Sequence, residues 1–243
     1  MILGVDVWVA VILAVTLVVG AAVQGLVGLG LGLVAAPVTT LLAPQLMPEL
    51  LLWLAFTLPM ATLVHDHHQI DWRGLGWALS ARAPGTAVGV AFVGWFTARE
   101  MGVAVGVMVL ASVLLTVRAV RLPVNRATLL GAGFVSGVTG TTTSIGGPPM
   151  AILYQHRAPA QIRSTLAVYF VFGAGFSLSG LALVGSLDLG TFLLAMLLVP
   201  CLAVGLTSSR LLRRVVPAHH VRGGVLVVCG LSALVVLVRS LFV

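Results

Sequence analysis

The sequence predicts an all-α membrane protein built from two inverted repeats, each a broken or re-entrant helical hairpin followed by three transmembrane helices. Three observations carry this expectation. Apolar stretches long enough to enter a bilayer recur from end to end. Clusters of glycine and proline interrupt them at matching places in the two halves. Arginines gather in a few short loops.

The chain has 243 residues, of which 60% are hydrophobic and 8% charged, with a mean hydropathy of +1.17. A soluble domain of this size needs far more charge to cover its surface. The whole chain is therefore expected in the bilayer, with no soluble domain attached. The net charge of +7 sits on arginines scattered through short loops, as retention of positive charge on the cytoplasmic side requires. No basic stripe interleaved with aromatics is present, so no nucleic-acid partner is expected. Cys201 and Cys229 lie inside apolar segments. Two isolated cysteines give neither a metal spacing nor a disulfide framework, and they read as buried small side chains. The first apolar stretch lacks a positive leader and carries Asp6, so it reads as a membrane segment and not as a signal peptide.

The elements follow in order. A first apolar segment runs over 7–24, then "QGLVGLGLGLVAAP" (24–37) and a short apolar piece to Leu42. Spans are expected at 49–64, at 74–96 with an interruption at Pro84, and at 101–117. The basic loop 118–126 separates the halves, giving one integral membrane domain made of repeats 1–121 and 122–243. The second half reads as a segment over 127–140, a break, a short piece to Tyr154, and spans at 164–184, 190–209 and 223–241.

Sliding the chain by 112 residues lays "VQGLVGLGLGLVAAP" (23–37) on "VSGVTGTTTSIGGPP" (135–149) without a gap. "APGTAVG" (83–89) matches "VPCLAVG" (199–205) at a slightly larger shift, and each half carries an Asp shortly before this segment, Asp71 and Asp188. Basic clusters at 118–126 and 157–163 belong on one side, the cytoplasmic one. The two arms between them are only about 14 and 8 residues long, too short for full crossings of about 20 residues. "VSGVTGTTTSIGGPPM" (135–150) thus reads as the tip of a hairpin that enters the membrane and returns. The stretch 24–37 reads as a second tip, entering from the opposite side. Broken helices at the interface of inverted repeats are a transporter architecture.

Non-helical backbone is tolerated at membrane depth only where it is buried in protein or lines a wet cavity. A half-helix start presents N–H groups and a positive dipole end. Proline suits a first helical turn, and glycine lets a ligand approach. The candidate substrate-binding residues are therefore Gln24, Gly25, Gly28, Gly30 and Gly32 at the first tip. At the second they are Thr141, Thr142, Thr143, Ser144, Gly146, Gly147 and Pro148. The competing explanation is that small residues simply let helices pack closely. Two breaks at matching positions favour a site for a small anion.

These same stretches, "GLVGLGLGLVAAP" (25–37) and "GVTGTTTSIGGPPMAILY" (137–154), carry a resemblance to the TauE/SafE sulfite exporter family of bacterial and plant membrane proteins. The resemblance covers nearly the whole chain. It implies a transporter that moves small sulfur-containing anions, sulfite or organosulfonates, outward across the bacterial inner membrane. It implies no cofactor. A homo-oligomer is compatible with the sequence.

Arg82 joins the candidate set on physical grounds. It lies about nine residues into its span, where an arginine costs about 2.5–3.5 kcal/mol on insertion scales. It must face a cavity, a partner or the membrane surface; at a cavity it would balance an anion. Arg163, at the start of a span, reads as an interface anchor. "HDHHQID" (65–71) raises the alternative of a divalent-metal transporter using His65, Asp66, His67 and His68. Neighbouring residues do not share a helix face, and a solvated loop that titrates near neutral pH is the simpler reading. Enzyme motifs are lacking. "GFVSG" (133–137) places Phe134 where an intramembrane serine protease pattern needs glycine, and no P-loop is present. A secondary mechanism, driven by membrane potential or an ion gradient, is expected.

Overall fold

The structure, a computed structural model, describes residues 5–27, 30–64, 69–117, 122–212 and 218–242. Its described elements are helical. The first half holds α1 (Val7–Val27), α2 (Leu31–Leu42), α3 (Glu49–Leu63), α4 (Trp72–Trp95) and α5 (Ala98–Val117). The second holds α6 (Arg126–Thr143), α7 (Gly147–Tyr154), α8 (Pro159–Leu183), α9 (Leu189–Leu212) and α10 (Ala218–Phe242). Among the described residues four stretches are long and apolar enough to cross a membrane: Val7–Leu26, Ala98–Thr116, Ala160–Leu183 and Leu189–Ser209.

The side-chain pattern is inverted relative to a water-soluble bundle. Val11, Val15 and Val19 of α1 and Val227, Leu231, Leu234 and Val238 of α10 point outward. Their spacing of three to four residues makes a continuous apolar stripe on the outer surface. Inside lie Ser136, Thr141, Thr143, Thr165 and Ser177, each almost fully enclosed. Lipid outside and hydrogen-bonded hydroxyls inside satisfy both populations.

Helix α1 packs on α9, and α4 packs on α6; α3 lies against α8, and α5 against α10. Exchanging the first five helices for the last five reproduces these pairings. The α4–α6 crossing is made backbone to backbone. A Cβ on Gly133 would collide with the Ala78 carbonyl, and one on Gly85 with that of Phe134. Gly205 of α9 abuts the Val18 carbonyl of α1 in the same way. Such contacts supply the van der Waals packing that holds helices together in lipid. The two aspartates act alike. Asp71 Oδ1 accepts from Gly74 N at 2.9 Å to cap α4, and Asp188 Oδ2 accepts from Thr191 N at 2.7 Å to cap α9. Satisfying first-turn N–H groups is what such caps do.

Several boundaries differ from expectation; α10, for one, begins at Ala218 and not at 223. Pro84 does not interrupt its helix: α4 runs unbroken through it. A proline removes one intrahelical bond, and the close packing of α4 on α6 holds the segments on both sides of it. Helix α6 continues beyond 140 to Thr143. Thr142 Oγ1 donates to Val138 O at 2.9 Å, and Thr143 Oγ1 to Thr139 O at 2.8 Å, so these hydroxyls are satisfied inside the helix. Helix α8 starts at Pro159, five residues before the expected 164, because proline fits a first turn. Both cysteines are free; Cys229 is buried and Cys201 half-buried.

Candidate functional site

The break between α6 and α7 is three residues long. Ser144 ends α6 in the left-handed conformation (φ 60°, ψ 14°), and Gly146 precedes α7. The carbonyls of the break are held from α6. Ser136 Oγ donates to Gly146 O, and Thr139 Oγ1 donates to Ile145 O at 3.1 Å. Ser144 Oγ donates to Pro48 O at 2.9 Å, tying the break to the loop before α3. Pro148 and Pro149 occupy the first turn of α7 and remove two of its N–H groups. The donors of this helix start are thereby concentrated at Gly146 and Gly147.

At the other break, Gln24 Oε1 accepts from Leu31 N at 3.0 Å, which occupies one of the first N–H groups of α2. Among the described residues no hydrogen bond is made by the amide nitrogen of Gln24. The breaks meet where Gly32 comes against the Ser144 carbonyl; a Cβ there would stand 2.6 Å from that oxygen.

Arg82 lies between these breaks, only 3% exposed. Its Nη1 donates to Ser136 Oγ at 2.8 Å, and its guanidinium carbon stands 4.5 Å from the centroid of the Tyr169 ring. Its Nε is buried without a hydrogen-bond partner, and among the described residues no carboxylate pairs with it. Gly173 and Gly140 form the slot for the guanidinium. A Cβ on Gly173 would overlap it, and one on Gly140 would come within 3.0 Å of Nη2.

A small cavity of about 50 Å³ opens at this point. Gln24, Gly30, Gly32, Arg82, Ser144, Gly146, Gly147 and Pro148 all line it, with Gly140 added and Leu52, Ala55, Phe170 and Ala174 as apolar walls. The remaining sequence candidates lie elsewhere. Gly25 packs against Ser209 of α9. Thr141 Oγ1 shares a 2.7 Å hydrogen bond with Ser177 Oγ of α8. Thr142 and Thr143 border a separate apolar cleft with Phe92, Phe96 and Met108. Gly28 and the His65–His68 loop lie outside the described residues. Among the described residues no group of His, Cys, Asp or Glu is placed to hold a metal ion.

The helix breaks correspond at an offset of 116 residues, from Val27 to Thr143 and from Leu31 to Gly147, and not at 112. Pro84 and Pro200 are separated by the same 116. At this offset Gln24 matches Gly140, Gly30 matches Gly146, Leu31 matches Gly147 and Gly32 matches Pro148. All eight of these residues line the cavity. Sequence reasoning passed over Ser136, Tyr169 and Gly173. The spacing of four that puts Ser136 beside Gly140, and Tyr169 beside Gly173, on one face is visible in the sequence. What that face meets is not.

A helical bundle sheathed in apolar side chains, with a buried cationic cavity at two broken helices, is the construction of a membrane transporter. Comparison with protein families matches residues 12–236 to the sulfite exporter TauE/SafE family. The chain belongs to that family of membrane transporters, and is a multi-pass membrane protein. No curated protein and no solved structure matches it.

Proposed function

We propose that the chain is a secondary transporter that exports a small sulfur-containing anion, sulfite or an organosulfonate, across the bacterial inner membrane. The anion binds in the cavity between Arg82 and the two helix breaks. The observation that carries this reading is the burial of Arg82 without a carboxylate. A buried unpaired charge is costly, and a protein retains one where a ligand compensates it. Arg82 supplies the charge, the N–H groups of Gly146 and Gly147 supply fixed dipoles, and the Gln24 amide adds a donor from the other break. Together they replace the water that an anion leaves behind.

The two halves, 1–121 and 122–243, act in this reading as inverted repeats whose hairpins enter from opposite faces. The reciprocal pairing of α1 with α9 and α4 with α6 supports it, as does the common offset of the helix breaks. Transport then alternates access around a fixed site. The test is flux in proteoliposomes of the purified protein, with sulfite, sulfate, thiosulfate and sulfonates offered in turn. Absence of flux for every anion in the panel rejects the proposal.

A further inference from the structure

We infer that the cavity selects its cargo by charge state, accepting a monovalent oxyanion and excluding a divalent one of similar shape. The inference rests on the proposed reading of this cavity as the substrate site. Among the described residues Arg82 is the one ionisable side chain in its lining; the rest is glycine, proline, apolar side chains, Ser144 and Gln24. The offset that relates the helix breaks places Leu198 opposite Arg82, so the second half does not repeat the cation.

Helix dipoles do not make up the difference. A helix start carries roughly half a positive charge and a helix end roughly half a negative one. Here both kinds of end reach the cavity. Gln24 and Gly140 belong to the last turns of α1 and α6, while Leu31 and Gly147 belong to the first turns of α2 and α7. The end and the start at each break carry opposite partial charges, so the breaks give the site hydrogen-bond donors but little net charge. The net charge left at the site is that of Arg82. A monovalent anion neutralises it, whereas a divalent anion leaves one buried charge uncompensated. The cavity of about 50 Å³ has room for a compact oxyanion. The cargo class is therefore hydrogensulfite or a monovalent oxyanion of its size, with the sulfite dianion and sulfate refused.

The test is calorimetric titration of the purified full-length protein with sulfite across the pH range in which hydrogensulfite loses its proton. Methanesulfonate, always monovalent, and sulfate, always divalent, serve as references. The expected result is that the apparent affinity for total sulfite falls about tenfold per pH unit above that proton's pKa. Affinity for methanesulfonate stays level, and sulfate does not compete. Sulfite affinity that is level or rises with pH, or sulfate competing as well as methanesulfonate, overturns the inference while leaving the anion site standing. Failure of every oxyanion to bind removes the anion site itself, and the inference with it.

Discussion

Arg82 Nη1 stands 2.8 Å from Ser136 Oγ, and the same hydroxyl is donated to the carbonyl of Gly146. One serine thus ties the buried cation of α4 to the helix break of the other half. Ser136→Ala removes both bonds. A hydrogen bond to a charged group contributes about 1.5–3 kcal/mol, so anion affinity is expected to weaken roughly ten- to a hundredfold. Titration of the variant against the parent protein measures this; unaltered affinity would show that Ser136 does not position Arg82 for binding.

Arg82→Gln separates binding from folding. Removing a buried uncompensated charge relieves its desolvation cost, so thermal stability in detergent is expected to hold or rise while anion binding is lost. Arg82→Lys keeps the charge but not the planar group that Gly173 and Tyr169 enclose. Its binding should fall between the two. Full binding by Arg82→Gln would place the anion elsewhere.

Gly173→Ala acts on Arg82 from the opposite side. The new methyl overlaps the guanidinium, and overpacking of this kind costs about 1–3 kcal/mol. Binding is expected to weaken as Arg82 is displaced. Gly175→Ala, on the same helix, meets only Phe56, at 3.7 Å, and should behave as the parent does. Equal binding constants for the two variants would sink the idea of a fitted slot.

Membrane sidedness follows from the inverted arrangement. Single cysteines in a cysteine-free background, one at 43–48 and one at 155–158, should label from opposite faces with an impermeant thiol reagent. Labelling of both from one face contradicts the proposed topology.

The histidine loop gives a prediction against the metal-transport alternative. His65, His67 and His68 changed together to Ala should leave anion flux intact. A loss of flux restored by added zinc would instead favour a metal-dependent protein.

The helix breaks were legible because glycine and proline act locally, whatever surrounds them. Arg82 was legible because a charge in an apolar span needs an explanation anywhere. The register between the halves was not. At an offset of 112 several glycines and valines coincide, and such coincidences are common in apolar sequence, whereas the helix ends fall one turn later. The run Thr141–Ser144 shows a different limit. Its hydroxyls suggest ligand contacts, yet Thr142 and Thr143 bond to their own helix and Thr141 to Ser177. Ser136 and Gly173 depend on which helix each face meets, and that is a property of tertiary packing.

The backbone contact of α4 with α6 bears on how the polypeptide can be divided. Gly85 and Gly133 let those two backbones touch, and this close packing holds α4 on α6 although it is encoded with α1. A gene severed between codons 117 and 122 would yield two fragments, each missing the helix its glycines are shaped to meet. Neither fragment alone is expected to accumulate in membranes, and producing both together should restore a complex that co-purifies. Stable accumulation of a lone fragment would show that the glycine contacts are dispensable for its assembly.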